Sequence, residues 1–571
     1  WRIGGKAALA QIASKGTNGT FGPELLVAAG MAEVDPVKAA GYWNRALDLV
    51  PPDPVTEQAL YLLATRGPVT KLAAAKIQYL KLLPAGEHSA HIAEALIPSK
   101  LAPALREELA GMLMDKGHYG PASRMLRDLP SGLAVYRLAR CYWRLGNLTK
   151  AQSALTEALR RNSRLQSRVS FTRGEIALGQ KKMDEAISHF RRAAKDTGSL
   201  GLDALNNLVK TYLRANREGE AAWIDREIIA RYPESVTADE ARWRALWKAY
   251  WEGRLPDARI WAQSLVQRNG TLGVAGSYWL GRLEQAAGRN SAALALYHEV
   301  SRRSPVSYYG WRARMRAAVI TGRGADPAFA INDGPVQARQ LDLRKLLPAG
   351  EQAILGSTQR PVADEISDWP IELRILAYLG VVPAAHLPAG NMRAMVAHAQ
   401  GDHYHGIIWA GDDLRLSHPL GYWPALELAA RSRGIDPLFF AALVKQESLF
   451  DPESRSWVGA IGLAQLMPFT ARWVARQIEG PERSLTDPVW NLRLGAWYLA
   501  YTGQVFDHDG ILQTAAYNAG VGAAKRWRSL DKGDPEAFIE RIPFGETRHY
   551  VKKVFGYYWT YCSLYRERAG L

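Results

Sequence analysis

The feature that most restricts what this chain can fold into is a punctuation that returns every thirty-odd residues. Across residues 1–340 apolar positions step by three and four with no sustained strand alternation, which reads as helix after helix. A glycine separates successive helical patterns and an alanine opens the next: DKGHYGPA at Gly117, RLGNLTKA at Gly146, ALGQKKMDEA at Gly179, WEGRLPDA at Gly253 and AAGRNSAA at Gly288. The intervals are 29, 33, 74 and 35 residues, the third being two of about 37 with Ala215-Asn216 at the skipped turn. Glycine supplies the turn's backbone freedom, and alanine lets two helices approach closely. A single hairpin cannot bury its own apolar face, so hairpins of this period must stack into a solenoid whose inner wall is a natural binding surface.

These segments resemble degenerate tetratricopeptide-type repeats. The 571 residues suffice for about three or four domains, and 47% apolar with 22% charged residues excludes wholesale disorder. From about Pro335 the period is lost. The expected organisation is an all-α chain with a solenoid over 1–340, a linking domain of short helices over 345–417 and a third domain over 418–571. In the solenoid, Trp243, Trp247, Tyr250 and Trp251 form a helical stripe that reads as packing between repeats, with a sugar-facing platform as the alternative. Arg160-Arg161 and Arg191-Arg192 fall at expected helix ends, where cations meet the dipole favourably. His403 and His405 in GDHYHG lack a third ligand at metal spacing and read as surface histidines. Cys141 and Cys562, 421 residues apart, fit no metal spacing or disulfide framework and read as buried thiols. No run of 18 apolar residues exists to span a membrane. The first residue is Trp1 rather than Met, which reads as the loss of an N-terminal segment, by signal cleavage or trimming.

Chemistry enters at GIDPLFFAALVKQESLFDP. Asp436 is a helix N-cap and Pro437 suits the first helical position. Phe440, Leu443, Val444 and Glu447 then fall at i, i+3, i+4 and i+7, which puts a carboxylate on an apolar stripe. Lost hydration disfavours its charged form and raises its pKa. An acid that stays protonated near neutral pH is what glycosidic cleavage needs, because the leaving oxygen must receive a proton. A glutamate at a fraying helix end, paired with a base, fits the stripe equally well. Ser456 follows, then GAIGLAQLMP (459–468), where Gly459 and Gly462 allow close backbone approach. Gln465 offers a donor and an acceptor there, and Met467 an adaptable apolar contact. AAYNAG (515–520) and PFGETRHYV (543–551) come later.

ESLF at 447–450, GAIGLAQLMP, AAYNAG and ETRHYV, in that order over about 105 residues, resemble the catalytic domain of family 1 lytic transglycosylases. With the preceding solenoid and linker, the chain is similar to the large soluble members found in Gram-negative bacteria. The resemblance implies a lysozyme-like α-helical domain after a helical-hairpin superhelix of a kind that can close into a ring. It also implies cleavage of the β-1,4 bond between N-acetylmuramic acid and N-acetylglucosamine in peptidoglycan. Glu447 matches the single catalytic acid. It protonates the glycosidic oxygen, then takes a proton from the muramyl C6 hydroxyl, whose oxygen closes a 1,6-anhydro ring without water. Ser456, Gln465, Met467, Tyr517, Asn518 and Glu546 fall on positions that line the sugar cleft, and Tyr550 lies one helical turn after Glu546. The sequence departs from the pattern at Ala464, usually Met, and at Phe469, often Gly, which implies a changed cleft wall.

The implied activity needs no metal or organic cofactor. Its partners are glycan strands with their stem peptides, and proteins of cell-wall synthesis or secretion on the solenoid. A monomer in the periplasm, held to the outer membrane through a lost N-terminal segment, completes the expectation. Two alternatives differ in kind: a lysozyme-type hydrolase, with Asp451, Glu453 or Glu546 as second acid, and a cell-wall-binding scaffold. Nucleic-acid binding lacks any recognition motif. Of the net charge of +16, residues 418–571 hold 18 Lys plus Arg against 16 Asp plus Glu, so +14 lies in residues 1–417. That excess suits gathering a polymer that bears carboxylates.

Overall fold

The computed structural model describes residues 22–48, 54–84, 86–97, 101–323, 390–478 and 483–566. Every regular element among them is a helix, and β pairing is confined to the isolated bridges Arg455–Ile461 and Ile461–Leu466. The chain is all-α, with tetratricopeptide-like hairpins followed by a lysozyme-like C-terminal domain.

The hairpin turns share one geometry, and it corrects the expected punctuation. The left-handed residue after each helix is Gly117, Gly146, Lys181, Asn216, Gly253 and Gly288, with φ between 55° and 84°. In each case the next residue's N–H bonds to the carbonyl five back, as in Asn147 to Tyr142 and Arg289 to Glu284, both at 2.8–2.9 Å. This is the Schellman closure of a helix C-terminus. Gly179, expected at such a turn, is the last residue of the helix that ends there, and Lys181 takes the turn position with φ 62°. Measured between true turn residues the spacing is 29, 35, 35, 37 and 35, so the single interval of 74 resolves into regular steps. Five residues after each turn stands an alanine (Ala122, Ala151, Ala186, Ala221, Ala258, Ala293), and none is more than 2% exposed. Its small side chain sets the close approach of the paired helices.

The chain falls into two compact units, residues 1–241 and 242–571. In the first, helices such as α1 (Gly132–Arg144), α2 (Leu148–Arg161) and α3 (Gln166–Gly179) bury their apolar stripes in several separate clusters along the chain. That segmentation is expected when each repeat meets only its neighbours. Arg160 and Arg161 occupy the last turn of α2, and Cys141 is buried.

In the second unit the helices of 242–323 share one core with the C-terminal helices. The domain boundary expected at 340–345 lies outside the described residues, as does the linking segment up to residue 389. The cut between units falls inside α4 (Val236–Trp251). Trp247 is its packed centre, with ring centroids 4.7 Å from Trp279 and 5.0 Å from Trp251. Around it stand α5 (Gly270–Ala286) and α6 (Tyr308–Ile320). Residues 390–417 hold three short helices, including α7 (His403–Trp409). His405 is exposed and paired with Asp402 at 2.8 Å. His403 is not a surface histidine. Its ring packs on Tyr422 and Phe450, and burial, then the neighbouring His398, lower its pKa to about 4. No helix among the described residues is long and apolar enough to cross a membrane.

The C-terminal helices include α8 (Pro437–Ser448), α9 (Pro468–Gln477), α10 (Pro488–Val505), α11 (Gly510–Ala519), α12 (Pro535–Arg541) and α13 (Gly545–Tyr565). A buried ionic knot ties α12 to α5 and α6. Glu536, 1% exposed, accepts from Arg282 at 2.5 Å, from Arg316 at 3.0 Å, from the fully buried Arg312 and from the Tyr278 hydroxyl. Burial alone would raise the Glu536 pKa, but the three guanidiniums outweigh it and hold the carboxyl well below its ordinary range. Glu540, Tyr309 and Lys552 form a second buried link, with Lys552 at 2.9 Å from Glu540. Trp311 donates to Thr560 at 3.1 Å. This frame fixes the position of α13, which carries part of the site.

Candidate active site

The site is built at the C-terminal end of α8. Asp436 caps the helix by accepting from the Leu438 amide at 2.8 Å, and its other oxygen accepts from Tyr558 at 2.8 Å. Pro437 occupies the first helical turn, as expected. Residues 437–445 are buried on every side, so Phe440, Leu443 and Val444 do not form a distinct apolar stripe. The helix is the centre of its domain, and Glu447 lies where that centre opens. Leu449 and Phe450, with φ 52° and 62°, break the helix immediately afterwards.

Glu447 is half-buried as a residue, but its carboxyl group is enclosed. Burial lifts its pKa from 4.5 to about 8. The Tyr550 hydroxyl of α13 donates to its Oε1 at 2.5 Å and works in the opposite direction, while nearby Glu546 adds to the rise. The result is an acid that holds its proton at neutral pH beside a donor that steadies the anion once the proton has left. Tyr517 of α11 stands in the same enclosure, its own pKa raised first by burial and then by Glu447. Its hydroxyl donates to the Ala464 carbonyl at 2.9 Å, which ties α11 to the loop over 451–467.

That loop is rigid for nameable reasons. Ile461 and Leu466 exchange both backbone hydrogen bonds at 3.1 Å, and the Gly462 amide donates to Ser454 O at 2.9 Å. Gly462 has φ 82°, and a Cβ there would stand 2.3 Å from the Leu485 carbonyl oxygen, so no other residue fits without displacing backbone. Asn491 of α10 staples the loop from behind. Its Oδ1 accepts from the Ala464 amide at 2.7 Å, and its Nδ2 donates to Ile461 O at 3.0 Å and Leu485 O at 2.8 Å. Ser448 Oγ adds a bond to Leu463 O at 2.8 Å.

Residues 425–538 match the family model described as "Transglycosylase SLT domain", and residues 136–201 match a tetratricopeptide repeat. Residues 425–538 thus form a transglycosylase SLT domain. The soluble lytic murein transglycosylases of Salmonella typhimurium and Escherichia coli are 38% and 39% identical over 158 residues, 27% of this chain and 24% of theirs. The match thus spans about a quarter of the length of these relatives. A membrane-bound lytic murein transglycosylase C of Actinobacillus pleuropneumoniae is 30% identical over 158 residues, 23% of this chain and 43% of its own. Among solved structures, the 70-kDa soluble lytic transglycosylase of Escherichia coli is alike over 98% of this chain and 89% of its own, with a TM-score of 0.51 and 19% identity. The lytic transglycosylase Slt of Pseudomonas aeruginosa is alike over 99% and 90%, with a TM-score of 0.53 and 20% identity. These likenesses concern the fold.

The expected cleft residues, some within the SLT match and Glu546 and Tyr550 beyond its end, divide into three groups. Glu447, Tyr550 and Tyr517 meet in one enclosure, with Glu546 exposed in the first turn of α13 and close enough to act on Glu447. Ser456, Gln465 and Met467 lie on the stapled loop. Ser456 Oγ accepts from the Ala460 amide at 2.9 Å. Both hydrogens of the Gln465 amide are spent on Ser454 O at 3.0 Å and Gly462 O at 2.9 Å, which fixes the side chain on the loop. Met467 is 37% exposed. Asn518 accepts from Thr547 at 2.7 Å and so couples the end of α11 to the start of α13. The departures from the family pattern differ in place. Ala464 is fully buried against Gly495 and is not a cleft-wall side chain, whereas Phe469 is 70% exposed. Asn491, Ser448 and Thr547 were not legible as site residues, because each supports the site through a contact with a distant segment.

Proposed function

We infer that this chain is a peptidoglycan lytic transglycosylase. It cleaves the β-1,4 bond between N-acetylmuramic acid and N-acetylglucosamine and leaves 1,6-anhydromuramic ends. The observation that carries the reading is one enclosed carboxylic acid, Glu447, with a pKa near 8 and the Tyr550 hydroxyl on its oxygen. Glu447 gives its proton to the glycosidic oxygen as the bond to C1 breaks. The positive charge at C1 is met within the substrate by the 2-acetamido oxygen. The Glu447 carboxylate, steadied by Tyr550, then takes the C6 hydroxyl proton while O6 attacks C1. Glu447 ends protonated, and no water is consumed. Ser456, Gln465, Met467, Tyr517, Asn518 and Glu546 line or order the sugar cleft.

The structure of a 70-kDa soluble lytic transglycosylase in complex with bulgecin A, alike over 99% of this chain with a TM-score of 0.58, supports a ligand cleft on this fold. In this reading residues 418–571 perform the chemistry, residues 345–417 link, and the hairpins of 1–340 gather glycan and partner proteins. The proposed substrate implies that the chain works in the periplasm. Mass spectrometry of muropeptides released from purified sacculi tests the chemistry. Anhydro ends that vanish with Glu447→Gln are expected. Ends heavier by one water would make the chain a hydrolase, and undiminished cleavage by Glu447→Gln would refute the assignment.

A further inference from the structure

A cavity of about 440 Å³, not lined by Glu447, lies between the end of α4 and the segment that leads into and through α12. Tyr250 and Trp251 line one side, and Lys532, Asp534, Phe538 and Arg541 line the other. Its size suits a sugar or a short peptide, and its position between packed substructures is where ligand sites commonly form.

The charges in it do not cancel. One Asp534 oxygen accepts from Arg282 at 2.8 Å and from the Tyr250 hydroxyl at 3.4 Å, and the other caps α12 through the amides of Glu536 and Ala537. Its carboxylate is therefore satisfied. Arg541 has no carboxylate partner among the described residues. Its guanidinium lies 4.8 Å over the Trp251 ring and bonds to the Leu530 carbonyl at 3.4 Å. Lys532 is exposed and forms no ion pair among the described residues. The cavity thus presents two uncompensated cations beside an aromatic wall. The aromatic stripe of α4 is likewise divided, since Trp247 is spent on packing whereas Tyr250 and Trp251 reach this space. An occupant must offer a carboxylate to Lys532 and Arg541 and an apolar ring face or methyl group to Tyr250 and Trp251.

The geometry points to a second peptidoglycan-holding site at this cavity, one that takes a carboxylate-bearing muramyl-peptide unit of the polymer cut at Glu447. A neutral glycan would leave both cations unanswered, so the site is selective for units that carry a carboxylate, on the stem peptide or on the lactyl group. This inference rests on the proposed function for the identity of its ligand.

Isothermal titration of the full chain carrying Glu447→Gln tests it, with two probes: the disaccharide N-acetylglucosaminyl-1,6-anhydromuramyl-tetrapeptide, and uncharged chitotetraose. Two sites are expected for the muropeptide and one for chitotetraose. Adding Lys532→Glu should weaken the second muropeptide site by about tenfold or more, as reversing one charge opposite a carboxylate does, and added salt should weaken it further. Arg541→Gln, which keeps much of the packing on Trp251, should act in the same direction. A single muropeptide site in the parent, two sites for chitotetraose, or a second site indifferent to Lys532→Glu would each overturn the inference. These outcomes are independent of the muropeptide masses that judge the proposed function.

Discussion

Glu447→Gln provides a test of the enclosed acid that needs no substrate. The folded pKa of about 8 lies above the ordinary 4.5, so the folded chain holds this proton more tightly than the unfolded chain does. The stability gained from that proton is complete below about pH 4.5 and is lost as the pH rises through about 8. At about 1.4 kcal/mol per pKa unit, the difference reaches roughly 4–5 kcal/mol at pH 9. Cleft water and local relaxation reduce that ceiling to about 2–4 kcal/mol. Glutamine keeps the shape and the acceptor for Tyr550 but has no proton to lose. The variant and the parent should therefore be nearly equal in stability at pH 4.5, and the variant should be the more stable at pH 9. For a unit of this size about 2–4 °C accompanies each kcal/mol, so a gap of several degrees should open by scanning calorimetry. Titrating groups that do not interact with Glu447 cancel in the comparison. A gap that stays constant between pH 4.5 and 9, or that opens on the acid side, would refute an enclosed, proton-holding Glu447.

Tyr550→Phe removes a donor that favours the ionised acid. A hydrogen bond to a charged group is worth about 1.5–3 kcal/mol, so the alkaline limb of the kcat/KM profile should move up by about 1–2 pH units while kcat falls; a limb that stays or moves down would count against the Tyr550–Glu447 contact. Glu536→Ala strands the buried Arg312 and should cost about 3–5 kcal/mol in urea titrations. Because the Glu536 pKa is depressed, its contribution is present above the ordinary carboxylate range and is lost as pH falls through the folded value, so the deficit of the variant should shrink in acid. Asn491→Ala removes two bonds to the loop and one to Leu485 and should cost about 2–4 kcal/mol by urea denaturation, with loss of cleavage; unchanged stability would mean that the loop is held by other contacts.

What the sequence made legible was what short-range bonding decides. The Asp436 cap, the Pro437 start and the hairpin turns each depend on atoms within about five residues, so their signals sit side by side in the chain. Gly179 shows the limit of even that. A left-handed turn position tolerates a lysine at about 1 kcal/mol, so the glycine two residues earlier was the wrong landmark, and only the hydrogen bonds of Lys181 and Lys182 identify the turn. The acid at Glu447 was found through a set of motifs rather than its stripe, because α8 is buried all round and has no polar face to contrast with. Asn491 left no trace, since one polar residue in WNLRLGAWYLA reads as surface until Ala464, Ile461 and Leu485 are seen to converge on it.

The charge count is the case where structure changes the physics and not just the detail. By arithmetic, +14 of the +16 belongs to residues 1–417, and all of it seemed free to gather an anionic polymer. Yet Arg282, Arg312 and Arg316 are committed to Glu536 and Asp534 in a knot where Arg312 is wholly buried. A cation spent on a buried carboxylate exerts little field outside, because its partner cancels it at short range and only the remainder reaches solvent. The attraction for glycan must come from cations that no carboxylate answers. In the second unit Lys532 and Arg541 are such a pair among the described residues, and they lie beside the part-buried rings of Tyr250 and Trp251, although residues 418–571 carry a net charge of only +2. Net charge by domain is therefore the wrong quantity for locating a polymer's path. The uncompensated cation next to an apolar face is the right one, and only packing reveals it.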